Sequence, residues 1–391
     1  MKVLHVGKYF PPYAGGMENY QRDLMVATQK MGIENSAVVH QSNLGLRSSE
    51  ETFKADAQEI PITRVAVWAR FLFTPMSPSF GLQLNSAIKS ENPDVLHLHM
   101  PNVSAFWALL LPRARSIPWV VHWHSDVVAS EFSIGLRLFY RFYKPFERAL
   151  LKQSRRIVAT SPPYLETSKP LSDFRDKCQV IPLGLDPSSL NQIRSCSTAA
   201  DNSTQLQVLA IGRLSYYKGF DVLIRAIALV PDACLSLVGI GDQEDQLKAL
   251  VKQLGIDQQV RFTGKLSPEK LEREFISCDC LCLPSLERTE AFGMVLLEAM
   301  HYGKATVISD IPGSGATWVV QGEETGLKIT PGDVRQLANA LLELHRDRDK
   351  MASFGEHGRR RFDSLFNIRQ SATAVAELYQ QVSGIGWPRC N

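Results

Sequence analysis

No apolar run in this 391-residue sequence approaches the roughly 20 residues that a membrane-spanning helix needs, and residues 105–111 fall far short. A basic leader with a hydrophobic stretch and a cleavage site is missing too, since Met1-Lys2 run straight into Val3-Leu4-His5-Val6. The expectation is a cytoplasmic protein that can touch the inner membrane from its cytoplasmic face. Cysteine is sparse and odd in number: seven, without framework spacing, which excludes a disulfide scaffold. Cys278, Cys280 and Cys282 alternate and are expected on one face of a strand as buried thiols. A zinc site would have to form from the pairs His97/His99 and His122/His124, and no cysteine or carboxylate cluster completes them, so no metal is expected. Internal repeats and low-complexity tracts are absent. No aromatic-basic platform or motif points to nucleic acid.

What is present is ordinary globular material, 45% hydrophobic and 21% charged, in a chain long enough for two domains. The net charge of +3 hides an asymmetry: residues 1–185 hold 21 Lys and Arg against 15 Asp and Glu, and residues 186–391 hold 22 against 25. A basic first half suits acidic partners such as phospholipid or a pyrophosphate-linked acceptor. Strand-like apolar runs alternate with helical patterns throughout, the mark of parallel α/β sheets. Composition turns polar after residue 188. The expected division is 1–188 with a C-terminal helix from about 368, a linker at 189–205, and a second α/β domain at 206–367.

One stretch carries most of the chemistry, residues 286–315, LERTEAFGMVLLEAMHYGKATVISDIPGSG. A polar loop ends at Ala291-Phe292-Gly293, and Met294-Val295 open a helix. Gly293 lets backbone approach a ligand, and the first free N–H groups of the helix form an anion site. Glu290 on the loop and Glu298 about one turn into the helix bracket that site. An anion between two carboxylates fits a ligand that is part phosphate and part polyol. Earlier, Ile211-Gly212-Arg213 ends a strand, and Lys218-Gly219 precedes a helix. A guanidinium fork and a mobile ammonium on one turn suit a diphosphate leaving group. Near the start, Gly15-Gly16 opens a helix after a proline-containing loop, but the G-x-G-x-x-G spacing of a dinucleotide site is missing. The strands ending at His99 and at His124-Ser125-Asp126 place polar groups where open α/β sheets bind ligands.

Glu290 and Glu298, spaced E-x7-E around Phe-Gly, resemble the donor motif of retaining glycosyltransferases of family 4. The resemblance extends to the Gly15-Gly16 loop, the cleft histidine at His124, and the Gly212-Arg213…Lys218-Gly219 element. It implies the GT-B fold, with two doubly wound Rossmann-like α/β domains facing a cleft and a last helix crossing back to the first. It implies a hexose moved, with retention and without a metal, from a UDP- or GDP-linked donor such as UDP-glucose or GDP-mannose. The acceptor would be a glycan or lipid-pyrophosphate in cell-surface polysaccharide or lipopolysaccharide assembly. Glu298 would accept the ribose hydroxyls, Glu290 would meet the donor sugar, and Arg213 and Lys218 would neutralise the diphosphate. Ala291, Phe292, Gly293, Met294 and Val295 would line the phosphates and sugar. Gly241 lies in a strand-end turn, and Lys265 and Leu266 would reach the base through backbone groups. Gly16, His99, His124 and Asp126 would shape the sugar side. A nucleotide-sugar epimerase and a non-catalytic assembly subunit share these features and remain alternatives.

Residues 133–156 place Arg137, Arg141, Lys144, Arg148, Lys152 and Arg155 on one helical arc, with Phe139, Phe142, Phe146 and Leu150 opposite. Pro145 is expected to start a second helix. The stripe is expected either as a solvated face or as a docking surface for an anionic membrane.

Overall fold

The computed structural model describes residues 1–13, 15–55, 58–71, 74–127, 134–190 and 205–386, without the side chains of residues 71, 134–139 and 189. Residues 191–204 of the expected linker, and the Arg137 side chain, lie outside that description. Contacts divide the chain into two units, 1–184 with 368–391 and 185–367. The polar composition shift at 188 thus follows the division by a few residues, and 185–190 go with the second unit.

The first unit is built on β1 (Lys2–Val6), β2 (Glu34–Leu44), β3 (Ser49–Ala55) and β4 (Gln58–Val67). A small hairpin follows, β5 (Ala69–Phe71) with β6 (Thr74–Met76). Then come β7 (Val95–Met100), β8 (Trp119–Trp123), β9 (Arg156–Ala159) and β10 (Cys178–Val180). The sheet order is β10-β9-β8-β7-β1-β2-β4-β3, parallel except for the antiparallel edge pair β3–β4. Every residue of β7 and β8 is buried, as expected of central parallel strands covered on both faces. The order reverses beside β1, which pairs β2 on one side and β7 on the other. Ligands of open α/β sheets bind at the carboxyl ends of strands at such a switch point. The helix Ile368–Ser383 packs on this unit, where Ser371 and Tyr20 share a hydroxyl hydrogen bond of 2.7 Å.

The second unit has β11 (Leu206–Ile211), β12 (Ala233–Val238), β13 (Val260–Gly264), β14 (Cys280–Leu283), β15 (Ala305–Ser309) and β16 (Gly326–Ile329). Their order is β13-β12-β11-β14-β15-β16, and all pairs are parallel. Its switch point lies between β11 and β14. Leu206, Val208, Leu235, Leu237 and Val307 point into one core with Leu223, Ile227 and Leu341. Cys280 and Cys282 are buried on β14, whereas Cys278 closes the preceding helix rather than lying on the strand.

One expectation fails at residues 134–153. Pro145 does not start a new helix, because a single helix, Ile134–Gln153, runs through it. An internal proline costs about 3 kcal/mol in an unsupported helix. Here buried Tyr143 precedes it, and buried Glu147, Leu150 and Leu151 follow, so packing on both sides holds the helix together. Phe142 and Phe146 lie outside the buried face, 69% and 52% exposed. The buried residues are Tyr143, Glu147, Leu150 and Leu151, and Phe106 meets Tyr143 at a tilt at 5.0 Å and stacks on Phe146 at 5.7 Å. The exposed phenylalanines therefore lie among exposed Arg141, Lys144 and Arg148. Among the described residues no helix is long and apolar enough to cross a membrane.

Candidate active site

In the second unit the loops after β11, β12 and β14 lie directly against one another. Gly212 N–H donates to Val238 and Leu214 N–H to Ile240, each at 3.0 Å. A Cβ at Gly241 would stand 2.2 Å from the Leu214 carbonyl oxygen, so that glycine is required for backbone approach between the loops. The chain then makes the tight turn Tyr216–Lys218, and Gly219 opens the helix Phe220–Ile227 at φ +66°. A Cβ there would meet the Pro284 oxygen at 2.1 Å, in the loop that follows β14. Leu286 N–H also donates to the Tyr217 carbonyl at 2.7 Å. This close seat brings together two of the expected residues.

Lys218 Nζ lies 2.5 Å from Glu290 Oε2, and Ser285 Oγ donates to the same carboxylate oxygen at 3.0 Å. Ser314 Oγ donates to the Glu290 carbonyl at 2.5 Å, and Gly315 N–H to the Ala291 carbonyl at 2.8 Å. Burial by itself pulls the Lys218 ammonium down, but the Glu290 carboxylate beside it outweighs this and its pKa ends above the usual lysine value. The ammonium is therefore charged at neutral pH. Ser285 and Ser314 were not singled out by sequence, although Ser314 belongs to the glycine-rich Ile311-Pro312-Gly313-Ser314-Gly315 segment that was.

Gly293 precedes the helix Met294–His301 at φ +79°, and no side chain caps that helix. By helix geometry the N–H groups of Met294 and Val295 have no intrahelical acceptor. Glu298 follows one turn later and is half-buried. Arg213 is exposed just beyond β11, and Lys265 and Leu266 follow β13, exposed and half-buried respectively. Phe292 has a structural use. Its ring is buried and meets Phe366 edge-on at 6.1 Å, so it anchors the loop. A loop ammonium, a nearby guanidinium, an uncapped helix start and two carboxylates can together hold an anionic diphosphate and accept polyol hydroxyls.

In the first unit the strand ends at the switch point carry a stack of buried imidazoles. His5, His97, His99, His122 and His124 lie ring to ring, with neighbouring centroids 4.4 to 5.6 Å apart. His5 was not expected. His99 Nδ1 meets His124 Nε2 at 3.0 Å, so these two expected residues are adjacent. Burial drives all five well below the usual histidine range, His5 to about 4 and His124 to about 3. Two triplets, His5/His97/His99 and His99/His122/His124, each bring ring nitrogens within 4.8 Å of one another. A small pocket at the ends of β1 and β7 is lined by Lys8, Tyr9, Met17, Glu18, Gln21 and His99. Gly15 precedes the helix Gly16–Lys30 in extended conformation, with the Glu18 carboxylate folded over it. Asp126 has a structural use: its Oδ1 accepts from Trp123 Nε1 at 2.8 Å and Ser168 Oγ at 2.7 Å.

Residues 198–361 match the family model described as glycosyl transferases group 1, and residues 15–184 match the glycosyl transferase 4-like domain. The phosphatidyl-myo-inositol mannosyltransferase of Mycobacterium leprae is 30% identical over 345 residues, covering 84% of this chain and 83% of that one. The chain belongs to the group 1 glycosyltransferases. The O-antigen chain mannosyltransferase C of Escherichia coli is 29% identical over 393 residues, covering 97% of this transferase and 98% of its relative. The sucrose-phosphate synthase of Thermosynechococcus elongatus matches in structure with a TM-score of 0.82 at 22% identity, covering 98% and 99% of the two chains. The fold of this glycosyltransferase is GT-B.

Proposed function

We propose that this glycosyltransferase moves a hexose from a nucleoside-diphosphate sugar to a glycan or lipid-linked acceptor, with retention, in cell-surface polysaccharide assembly. The observation that carries the reading is the Lys218–Glu290 pair beside the uncapped helix at Met294. Its ammonium meets the leaving diphosphate together with Arg213, and the helix start holds phosphate oxygens. Glu290 accepts hydroxyls of the sugar and Glu298 those of the ribose. These cationic side chains supply the charge that a metal would otherwise bring. The departure the family resemblance implies is front-face, with the leaving phosphate helping to deprotonate the acceptor. Two relatives named as mannosyltransferases make a mannose-configured sugar the first candidate.

The acceptor is met at the cytoplasmic face of the inner membrane. Support comes from the helix Ile134–Gln153, where Phe142 and Phe146 are exposed, as are Arg141 and Lys144. Exposed apolar rings and exposed cations on one helix suit an anionic leaflet. The test is a panel of UDP- and GDP-linked sugars scored by nucleotide release with and without lipid extract. Acceptor-dependent release supports transfer, and release of free sugar without acceptor supports an epimerase instead.

A further inference from the structure

The imidazole row of the first unit has a direction, and Asn35 sets it. Asn35 Nδ2 donates to the carbonyls of Ile33 at 2.8 Å and Met25 at 3.1 Å. The same nitrogen lies 3.1 Å from Thr28 Oγ1 and 3.2 Å from Gln29 Oε1. The Thr28 hydroxyl proton is itself given to the Leu24 carbonyl at 2.8 Å. Turned the other way, the amide would set its oxygen against four acceptors. Asn35 Oδ1 therefore faces His5 Nε2 at 3.1 Å, and that ring nitrogen is the donor.

A neutral imidazole carries one proton, so His5 Nδ1 is bare and accepts from His99 Nε2–H at 3.0 Å. The same step leaves His99 Nδ1 bare to accept from His124 Nε2–H at 3.0 Å. The last ring is left with a bare Nδ1, which is buried and has no hydrogen-bond partner among the described residues. Nearly all buried polar atoms are partnered. An unpartnered acceptor at a strand's carboxyl end points to a donor that arrives with substrate. The other two rings carry no fixed sense. His97 Nδ1 meets the Tyr379 hydroxyl, which can donate or accept, and His97 Nε2 lies 3.3 Å from His122 Nδ1.

We propose that Asn35 and His5 are positioning residues that act through His99 to hold His124 with Nδ1 bare, as an acceptor for a hydroxyl of the transferred sugar. This rests on the donor reading above. A bare nitrogen accepts from a hydroxyl and repels a phosphate or carboxylate oxygen, so this ring selects the sugar end of the donor.

The test is long-range 15N–1H correlation on the full chain labelled with 15N-histidine, with His124→Gln used to assign the His124 signals. Without substrate, His124 is expected as the neutral Nε2–H form. His5→Asn keeps an acceptor near the Nδ1 position and keeps that pattern. His5→Leu removes the acceptor, gives a mixture of tautomers, and lowers kcat roughly tenfold while donor KM stays within about twofold. An Nδ1–H His124 in the parent chain overturns the proposal, even if no variant folds. So does an unchanged His124 pattern in a folded His5→Leu chain. The spectrum needs no substrate. The expected tautomer in a chain that transfers no sugar defeats the donor reading alone, and an active chain with Nδ1–H His124 defeats this inference alone.

Discussion

Lys218 Nζ and Glu290 Oε2 stand 2.5 Å apart on side chains only 12% and 10% exposed. The carboxylate keeps the ammonium charged and in place, but it also competes with any anion the ammonium serves. Glu290→Gln is therefore expected to bind the diphosphate nucleotide as tightly as the parent or more tightly, while turnover falls about a hundredfold. Glu298→Ala is expected to weaken nucleotide binding itself, by roughly 1.5–3 kcal/mol for one charged acceptor. Calorimetry with the free nucleotide separates the two. Equal losses of affinity in both variants mean that the roles are assigned wrongly.

Arg213→Ala and Lys218→Ala should each lower turnover about a hundredfold, the usual effect of deleting one electrostatic donor. Lys218→Ala should also cost roughly 3 kcal/mol of stability, because it strands the Glu290 carboxylate. Activity should survive a strong chelator unchanged. Loss of turnover with chelator, restored by magnesium or manganese, would point to a different design of site.

The parts of this molecule legible in its sequence were those written in local pattern. Apolar runs gave buried β7 and β8, and glycines beside charged residues marked the turns at Gly212–Gly219 and Gly293. What local pattern could not show was pairing across distance. Lys218 and Glu290 were read as separate groups, and their ion pair depends on two loops seated at the Pro284 carbonyl. His5 reads as one strand residue, and only the pairing of β1 with β7 places it beside His97 and His99. At residues 134–153, periodicity gave a basic arc with Phe142 and Phe146 opposite, but not which residues face the core. Tertiary packing instead buried Tyr143 and Glu147 and left Phe142 and Phe146 outside.

Glu147 gives a pH-dependent prediction. It is buried, Tyr140 donates to its Oε2 at 3.0 Å, and its Oε1 has no partner among the described residues. Burial raises the carboxyl from 4.5 to about 7, with Asp126 adding to the rise and the Tyr140 hydrogen bond opposing it. The folded state thus holds this proton more tightly than the unfolded one. The stability it gives is full below pH 4.5 and is lost as pH rises through 7, by roughly 3 kcal/mol in all. Glu147→Gln should match the parent in denaturant titrations at pH 4 and be more stable at pH 8. Equal stabilities at pH 8 would show that the carboxyl titrates normally.

Membrane docking is checked by flotation with liposomes. The chain should float with vesicles rich in anionic lipid, remain behind with neutral ones, and be released by high salt. Arg141, Phe142, Lys144 and Phe146 replaced together by Ser should abolish flotation and leave donor hydrolysis in solution intact. Arg148 is left unchanged because it pairs with Asp173 at 2.5 Å. A quadruple variant that floats like the parent would place the docking surface elsewhere.

The central claim is transfer of a hexose from a nucleoside diphosphate with its anomeric configuration kept. The most direct measurement follows the anomeric proton by NMR while the chain turns over an α-linked donor, GDP-mannose first and then the UDP-hexoses, in the presence of lipid extract. The account predicts an α-linked product that forms in step with nucleotide diphosphate release and is lost in Lys218→Ala. A β-linked product, or free sugar released at the same rate without acceptor, would contradict it.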